Sequence, residues 1–397
     1  MLSGTTCGSV GAYTVRHGRT ELLAIPTFLV ALESLVAVGL VEHISAELGT
    51  SLSSTAQATS AFTFAAAFSG VPLAGVTSHL PKRRLLVTAL LVQAAVNLTI
   101  LGAPSLPVLL MLRAVSGAAA SLIPPNAAAL AAQMASPDRR ATALAWTTGG
   151  VVAAFLVGLP FATLLGESLG WRASFALCMS IACVGAVALQ FGLPDVTAIR
   201  PAPSFRHLRL SPALLLTLAT TVLGFAASFC VIGFSGPIIA AIAAWPVGFI
   251  QIFLGLGAVV GLLSAVRIAG RIGSRAIGLA IGVILLSLTI QVGAVNGAFE
   301  KSGWMLQTVA LIVLGAGLFG LSPPIQLSLI RASPAYPEIA LAMNAAAVFV
   351  GQGLGAVGAG SAVGNFGILG APVAGLLFGG LAMVAAVLVP RIRDRAH

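Results

Sequence analysis

Charge is the scarcest property of this chain: only 8% of its 397 residues are Asp, Glu, Lys or Arg. Soluble domains carry about a quarter, so the deficit excludes a water-soluble enzyme or a nucleic-acid binder, whatever the net charge of +10 invites. Cysteine is rare as well. Cys7, Cys178, Cys183 and Cys230 have no paired spacing, which excludes a disulfide framework and leaves them as small apolar fillers. His17, His43, His79, His207 and His397 are scattered, and no His/Cys/Asp cluster has metal spacing. There is no Gly-x-x-x-x-Gly-Lys-Ser/Thr loop, so ATP is not the direct energy source. No nucleophile–base pair is evident. The expectation is a protein without cofactor or metal, and not an enzyme.

What is present is apolar. Hydrophobic residues make up 58%, mean hydropathy is +1.06, and 45 Gly with 19 Phe against two Tyr suit helices packed closely in lipid. A membrane-crossing helix needs about 20 apolar residues, and runs this long without alternation exclude a barrel. Twelve such runs are predicted, at roughly 22–41, 55–77, 85–103, 106–131, 142–166, 171–193, 212–235, 246–268, 276–297, 303–330, 339–362 and 367–390. The first is too long for a signal-peptide core and lacks a small-residue cleavage site after it, so it is read as a retained helix. The longest connection, 194–211, carries three Arg near the chain midpoint and separates an N-terminal bundle, 1–193, from a C-terminal bundle, 212–397.

Lys and Arg orient the spans. Seventeen of the twenty, from Arg16 and Arg19 through Lys82, Arg83 and Arg84 to Arg395, fall on one side; Arg172 and Lys301 fall on the other, and Arg113 lies within a span. That alternation places both termini in the cytoplasm and accounts for the basic charge without nucleic acid.

The chain also repeats itself. Ala135-Ser136-Pro137 followed by Ala143-Leu144-Ala145 returns as Ala332-Ser333-Pro334 followed by Ala340-Leu341-Ala342, an offset of 197 residues. Pro124-Pro125 is answered by Pro323-Pro324, and the basic loop 80–84 by Arg271 to Arg275. One such match is ordinary in an Ala/Leu-rich chain; three in order indicate parallel six-helix repeats around a shared cavity. The proline pairs predict matching bends near the cytoplasmic ends of helices four and ten, suited to an inner gate, or simply two helix ends.

Only two charged residues lie deep in a span. Glu33 and Arg113 sit about 12 Å and 11 Å from the outer boundary on helices one and four, so they are at a depth where they can pair. Each alone costs roughly 2.5–3.5 kcal/mol, which makes the other the available partner. The functional reading makes Glu33 a proton carrier switched by Arg113; the structural reading is a permanent ion pair. Uncharged polar residues in spans, Gln93, Asn97, Asn126, Gln251, Gln326, Asn344 and Gln352, are most simply interhelical glue. Asn344 and Gln352, eight residues apart, share a face of helix eleven and become cavity candidates. Phe62 and Phe229, among the Phe of helices two, seven and eight, flank the expected cavity and favour a substrate with an apolar part.

Together these residues resemble the major facilitator superfamily, and within it the twelve-helix drug:proton antiporters that include sugar, chloramphenicol and nucleoside exporters. Arg113-Ala-Val-Ser-Gly117 fits an Arg-x-x-x-Gly signature of helix four; Pro137-Asp138-Arg139-Arg140 resembles the loop that follows; Gly158-Leu-Pro160 stands where the antiporter Gly-Pro motif of helix five belongs; and Gly170-Trp171-Arg172-x-x-Phe175 matches the start of helix six. Asn344, Gly351 and Gln352 are similar to a pattern of the sugar-exporter branch. Two departures stand out. The Lys82–Arg84 loop lacks the family's usual acidic residue, and Ser34 occupies the place expected of the helix-one acid, with Glu33 beside it.

The resemblance implies an all-α protein of two six-helix bundles related by a pseudo-twofold axis, working by alternating access. It implies export of a small organic molecule in exchange for protons by a monomer in a bacterial-type inner membrane. Glu33 and Arg113 are then the coupling pair. Ser34, Phe62, Asn126, Phe229, Gln251, Asn344 and Gln352 are the candidate substrate contacts. Lys82, Arg83, Arg84, Gly158, Pro160, Pro124 and Pro323 are the gating positions. The rivals are a proton symporter or facilitator for uptake and a lipid scramblase; substrate identity stays open.

Overall fold

A computed structural model of the chain describes residues 19–77, 79–136, 138–195, 211–242, 245–272, 275–297, 303–334 and 336–394. Among the described residues twelve helices are long and apolar enough to cross a membrane: α1 (Thr20–Leu48), α2 (Leu52–Thr77), α3 (Lys82–Ile100), α4 (Leu106–Met134), α5 (Thr142–Leu169), α6 (Trp171–Gly192), α7 (Pro212–Ile232), α8 (Val247–Ala265), α9 (Arg275–Val295), α10 (Gly303–Ala332), α11 (Ile339–Phe366) and α12 (Gly370–Val389). The number equals that predicted, and the ends shift by a few residues, most at α1, which runs on to Leu48 through the helical turns Val38–Leu40 and Val41–Leu48. A short helix, Ser235–Ile242, joins α7 to α8. The connection 194–211 lies outside the described residues apart from its ends, as do Cys7, Arg16 and Lys301.

Two hydrophobic cores organise these helices. One is made wholly of residues from α1 to α6 and the stretch beside them, with Leu32, Phe62, Leu90, Leu109 and Trp171 among its buried members. The other is centred on α7 to α12 but also takes in Leu35, Val38, Ala56, Phe155 and Leu159 from the first half. Each bundle therefore buries its own apolar stripes, and the two are fused through part of α1, α2 and α5. Close packing depends on small residues: Gly257 and Gly261 of α8 face the backbone of Ile312 and Ala316 on α10 at a separation that leaves no space for a Cβ.

Proline acts differently in the two halves. In α4 the helix is interrupted at Ser121 and Leu122, and Pro124 and Pro125 fall in the first turn of the segment Ile123–Met134. That position tolerates proline because its N–H has no helical acceptor. In α10 the helix runs unbroken from Gly303 to Ala332 with Pro323 and Pro324 inside it. The two halves differ in continuity: α4 breaks before its prolines, whereas α10 runs on through its own, where packed neighbours hold the helix across its missing donors. In α5, Pro160 likewise removes a donor, and the turn before it, Ala154–Gly158, widens to a π-helix in which the Leu159 N–H reaches Ala154 O.

Candidate functional site

Glu33 lies in the last turn of the first α-helical stretch of α1, Ala24–Leu35. Carbonyls at a helix end run out of partners four residues on, and that of Glu33 is used from outside the helix. The Arg113 guanidinium of α4 donates Nη2 to the Glu33 carbonyl oxygen at 2.5 Å, Nη1 to Glu33 Oε2 at 2.9 Å, and Nε to Ala58 O of α2 at 3.3 Å. A planar fork is needed to serve three acceptors in this way. Both side chains have no exposed surface.

The pair has further partners. Asn97 Nδ2 of α3 donates to Glu33 Oε1, and also to Gln93 O at 2.9 Å. The Ser116 hydroxyl of α4 is placed between two acceptors, Glu33 Oε2 at 3.4 Å and Gln93 Oε1. Gln93 Nε2 and Asn97 Oδ1 have no hydrogen-bond partner in this network. The guanidinium lies over two aromatic rings, with its carbon 4.4 Å from the Phe62 ring centre and 5.9 Å from that of Phe175, an arrangement favourable for a buried cation. Gly117 makes the approach possible: a Cβ there would collide with the backbone carbonyl of Phe62.

The structure thus brings Glu33 and Arg113 together and gives other places to several candidate contacts. Phe62 faces Arg113. Ser34 donates to Ala31 O at 2.8 Å, and Asn126 to Leu122 O at 2.6 Å, each within its own helix. Asn344 Oδ1 accepts the Thr221 hydroxyl of α7 at 2.8 Å. Phe229 is buried beside Gly355 of α11, and Gln352 is buried with its Oε1 unpartnered. Gln93 and Asn97, read from the sequence as interhelical glue, do join helices around Glu33, together with Ser116, whose role sequence reasoning left unassigned. Their signal is helical spacing: Ser116 is three residues after Arg113, and Gln93 and Asn97 are four apart on one face of α3.

Gln251 belongs to another structure, a seam between the bundles on the face opposite the basic loops. Thr163 of α5 donates to Gln251 Oε1 of α8 at 2.8 Å, and Gln251 Nε2 donates to Ser235 Oγ at 2.9 Å. Nearby, Glu167 Oε1 of α5 accepts the Val247 N–H at 3.2 Å, satisfying an orphan donor in the first turn of α8. Ser60 of α2 donates to Gly353 O of α11 at 3.3 Å, and the Gly39 backbone abuts Gly236. On the side of the basic loops the helices spread: Val71, Pro72, Ala74, Gly75 and Val76 of α2 are all exposed. The molecule is sealed on one face and open on the other.

The basic loop itself is tied down. Arg83 donates to Leu193 O at 2.9 Å and Gln190 O at 3.3 Å at the end of α6, and both Arg83 and Arg84 pair with Asp195, at 3.3 Å and 2.9 Å. At the opposite face Arg172 donates to Leu101 O at 2.9 Å and Ala103 O at 3.2 Å, pairs with Glu47, and lies over the Trp171 ring at 4.3 Å. Asp138, in the loop after α4, has its carboxyl held below the usual range by a hydrogen bond from Ser136. Among the described residues no group of His, Cys, Asp and Glu is arranged to hold a metal ion.

Twelve spans in two fused bundles, with an internal carboxylate–guanidinium pair and one face open, define a membrane transporter of the secondary type. Residues 23–338 match the Major Facilitator Superfamily, and the chain belongs to that family. It is 26% identical over 374 residues to the inner membrane transport protein YdhP of Escherichia coli K12, covering 93% of this chain and 95% of that one. It is 29% identical over 361 residues to a chloramphenicol resistance protein of Streptomyces lividans, covering 87% and 88%. Among solved structures, a bacterial homologue of the lysosomal transporter Spinster, inward-facing and unoccupied, superposes with a TM-score of 0.77 at 14% identity, covering 96% and 98%. A D-xylose–proton symporter gives 0.73 at 14% identity, covering 93% and 96%.

Proposed function

We propose that this chain exports a small organic molecule across a bacterial inner membrane in exchange for protons. The observation that carries the reading is the enclosure of Glu33. Among the described residues its carboxylate is the one acidic group buried among the helices, and its partners are a guanidinium, an amide and a hydroxyl. A carboxylate is favoured while Arg113 faces it and disfavoured when the guanidinium is drawn away, so substrate and proton compete for the same arrangement. Ser116, within reach of both Glu33 and Gln93, gives the proton a path between α1 and α3. Outward direction is supported by the Gly158-Leu-Pro160 motif and by the chloramphenicol resistance relative, inner-membrane placement by YdhP, and cytoplasmic termini by the Lys and Arg distribution.

The halves 1–193 and 212–397 move as two bodies joined by the linker 194–211. The Thr163–Gln251–Ser235 seam opens in the alternate state, and Asn344, Gln352 and Phe229 line the route on the C-terminal side. The test is Glu33→Gln in proteoliposomes. Export driven by a pH gradient falls at least tenfold, whereas substrate counterflow, which needs no net proton movement, stays within about twofold of wild type. Undiminished gradient-driven export overturns Glu33 as the carrier.

A further inference from the structure

Ser116 of α4 has one hydroxyl hydrogen and two acceptors facing it, Glu33 Oε2 at 3.4 Å and Gln93 Oε1. Whichever oxygen takes the hydrogen, the other meets a lone pair of Ser116 Oγ. On the same side chain as that second acceptor, Gln93 Nε2 has no partner. Glu33, Gln93 and Ser116 have no exposed surface, so donors and acceptors have to be matched among the buried groups themselves. The mismatch has two resolutions. A proton on Glu33 Oε2 lets that O–H donate to Ser116 Oγ, while Ser116 donates to Gln93 Oε1. With Glu33 ionised, turning the Gln93 amide over lets Nε2 donate to Ser116 Oγ, and Ser116 donates to Glu33 Oε2. The two chains of donors run in opposite directions and differ in the orientation of one amide.

The other bundle supplies a contrast. Gln291 of α9, one residue from the position that answers Gln93 in the repeat, has its amide engaged at both atoms. Its Nε2 donates to Ser287 Oγ at 3.2 Å, and its Oε1 accepts from Gln307 Nε2 at 3.4 Å. Turning that amide over would lose both bonds. The Gln93 amide is engaged at Oε1 alone, and the last torsion of a Gln side chain is soft and roughly two-fold, so turning needs no additional space. Asn97 keeps its place throughout, because it donates to Glu33 Oε1, the oxygen that carries no proton in either chain. We propose that Gln93 is a positioning residue for proton uptake, its side-chain amide turning over when Glu33 gains or loses a proton, with Ser116 as the relay. The O–H formed at Glu33 is the one covalent change; Ser116 rotates its hydroxyl and Gln93 its amide. The inference rests on the transport reading above and deepens it, since α3 then registers the protonation state of α1.

Infrared difference spectra of the full chain in lipid, acidic minus alkaline buffer, test it, with glutamine isotope-labelled at the side-chain carbonyl carbon. A carboxyl band that is absent in Glu33→Gln identifies proton uptake at Glu33. The expected result is a second, label-sensitive band that is absent in both Gln93→Leu and Glu33→Gln, and reduced about twofold or more in Ser116→Ala. A Gln93 that only joins helices gives no such band, because its amide has the same partners at both pH values. Gln93→Leu is also expected to lower gradient-driven export about tenfold, the worth of one hydrogen bond to a charged group. A carboxyl band without a label-sensitive companion overturns the role of Gln93 and leaves the transport reading standing. So does a labelled band that survives in Gln93→Leu or Glu33→Gln, or wild-type export by Gln93→Leu. Absence of the carboxyl band from the wild type overturns the transport reading itself, and this inference with it.

Discussion

Arg113 shows how much of a site one side chain can organise. Its three donors join α1, α2 and α4 through Glu33 Oε2, Glu33 O and Ala58 O. A Lys at this position keeps the charge and loses the fork, and an ammonium cannot satisfy the three acceptors from one point. Arg113→Lys is therefore expected to destabilise the folded chain by about 2 kcal/mol, seen as a lower apparent melting temperature in detergent. Gradient-driven export should fall more than tenfold. Retention of both would show that charge alone suffices. Glu33 and Arg113 were legible in the sequence because a lone charge in an apolar run has to be explained. Ser116, Gln93 and Asn97 were less so, since in-span amides and hydroxyls more often join helices, and only the network they form around Glu33, Gln93 through Ser116, distinguishes them.

At the scale of helices, contact is set by what is missing from a side chain. Gly117 lies against the Phe62 backbone carbonyl, whereas Gly278 of α9 has no neighbouring atom where a Cβ would go. Gly117→Val forces α2 and α4 apart and draws Phe62 off the Arg113 guanidinium, at a cost of about 1–3 kcal/mol. Gly278→Ala changes stability little or raises it slightly, because Ala is the better helix former. Thermal unfolding of the two variants compared with wild type checks the contrast; equal melting temperatures would sink it. The proline pairs teach a related lesson. Pro124 and Pro323 are equivalent in the repeat, yet α4 breaks before its prolines and α10 continues through them. A missing donor permits an interruption without requiring one, and the surrounding helices decide.

For the whole molecule the decisive balance is between the sealed and open faces. The seam is crossed by few directional bonds: Thr163 to Gln251, the Val247 N–H to Glu167, and Ser60 to Gly353 O. Two-state elements held by so little respond to small changes. The double variant Thr163→Val, Gln251→Leu removes the first of these at about 1–3 kcal/mol and is expected to raise the population open on this face about tenfold. Spin labels at Ser168 and Trp245, exposed near the ends of α5 and α8, report the change in a cysteine-free background as a longer distance component. An unchanged distance distribution would place the seam's strength elsewhere, in the Gly39–Gly236 and Ser60–Gly353 contacts.

The sequence by itself determined the twelve spans, their apolar helical character and the family resemblance. Hydrocarbon solvent leaves a backbone few options, and each run of about 20 apolar residues states its outcome locally. It also marked the two charges that had to meet. Tertiary structure alone decided what the remaining polar groups do: Gln251 in the seam between bundles, Asn344 on Thr221, Phe62 under a guanidinium, Gln352 with an unused acceptor. In water-free surroundings such groups are defined by their nearest partner, and that partner lies on another helix whose rotation and depth no local pattern encodes.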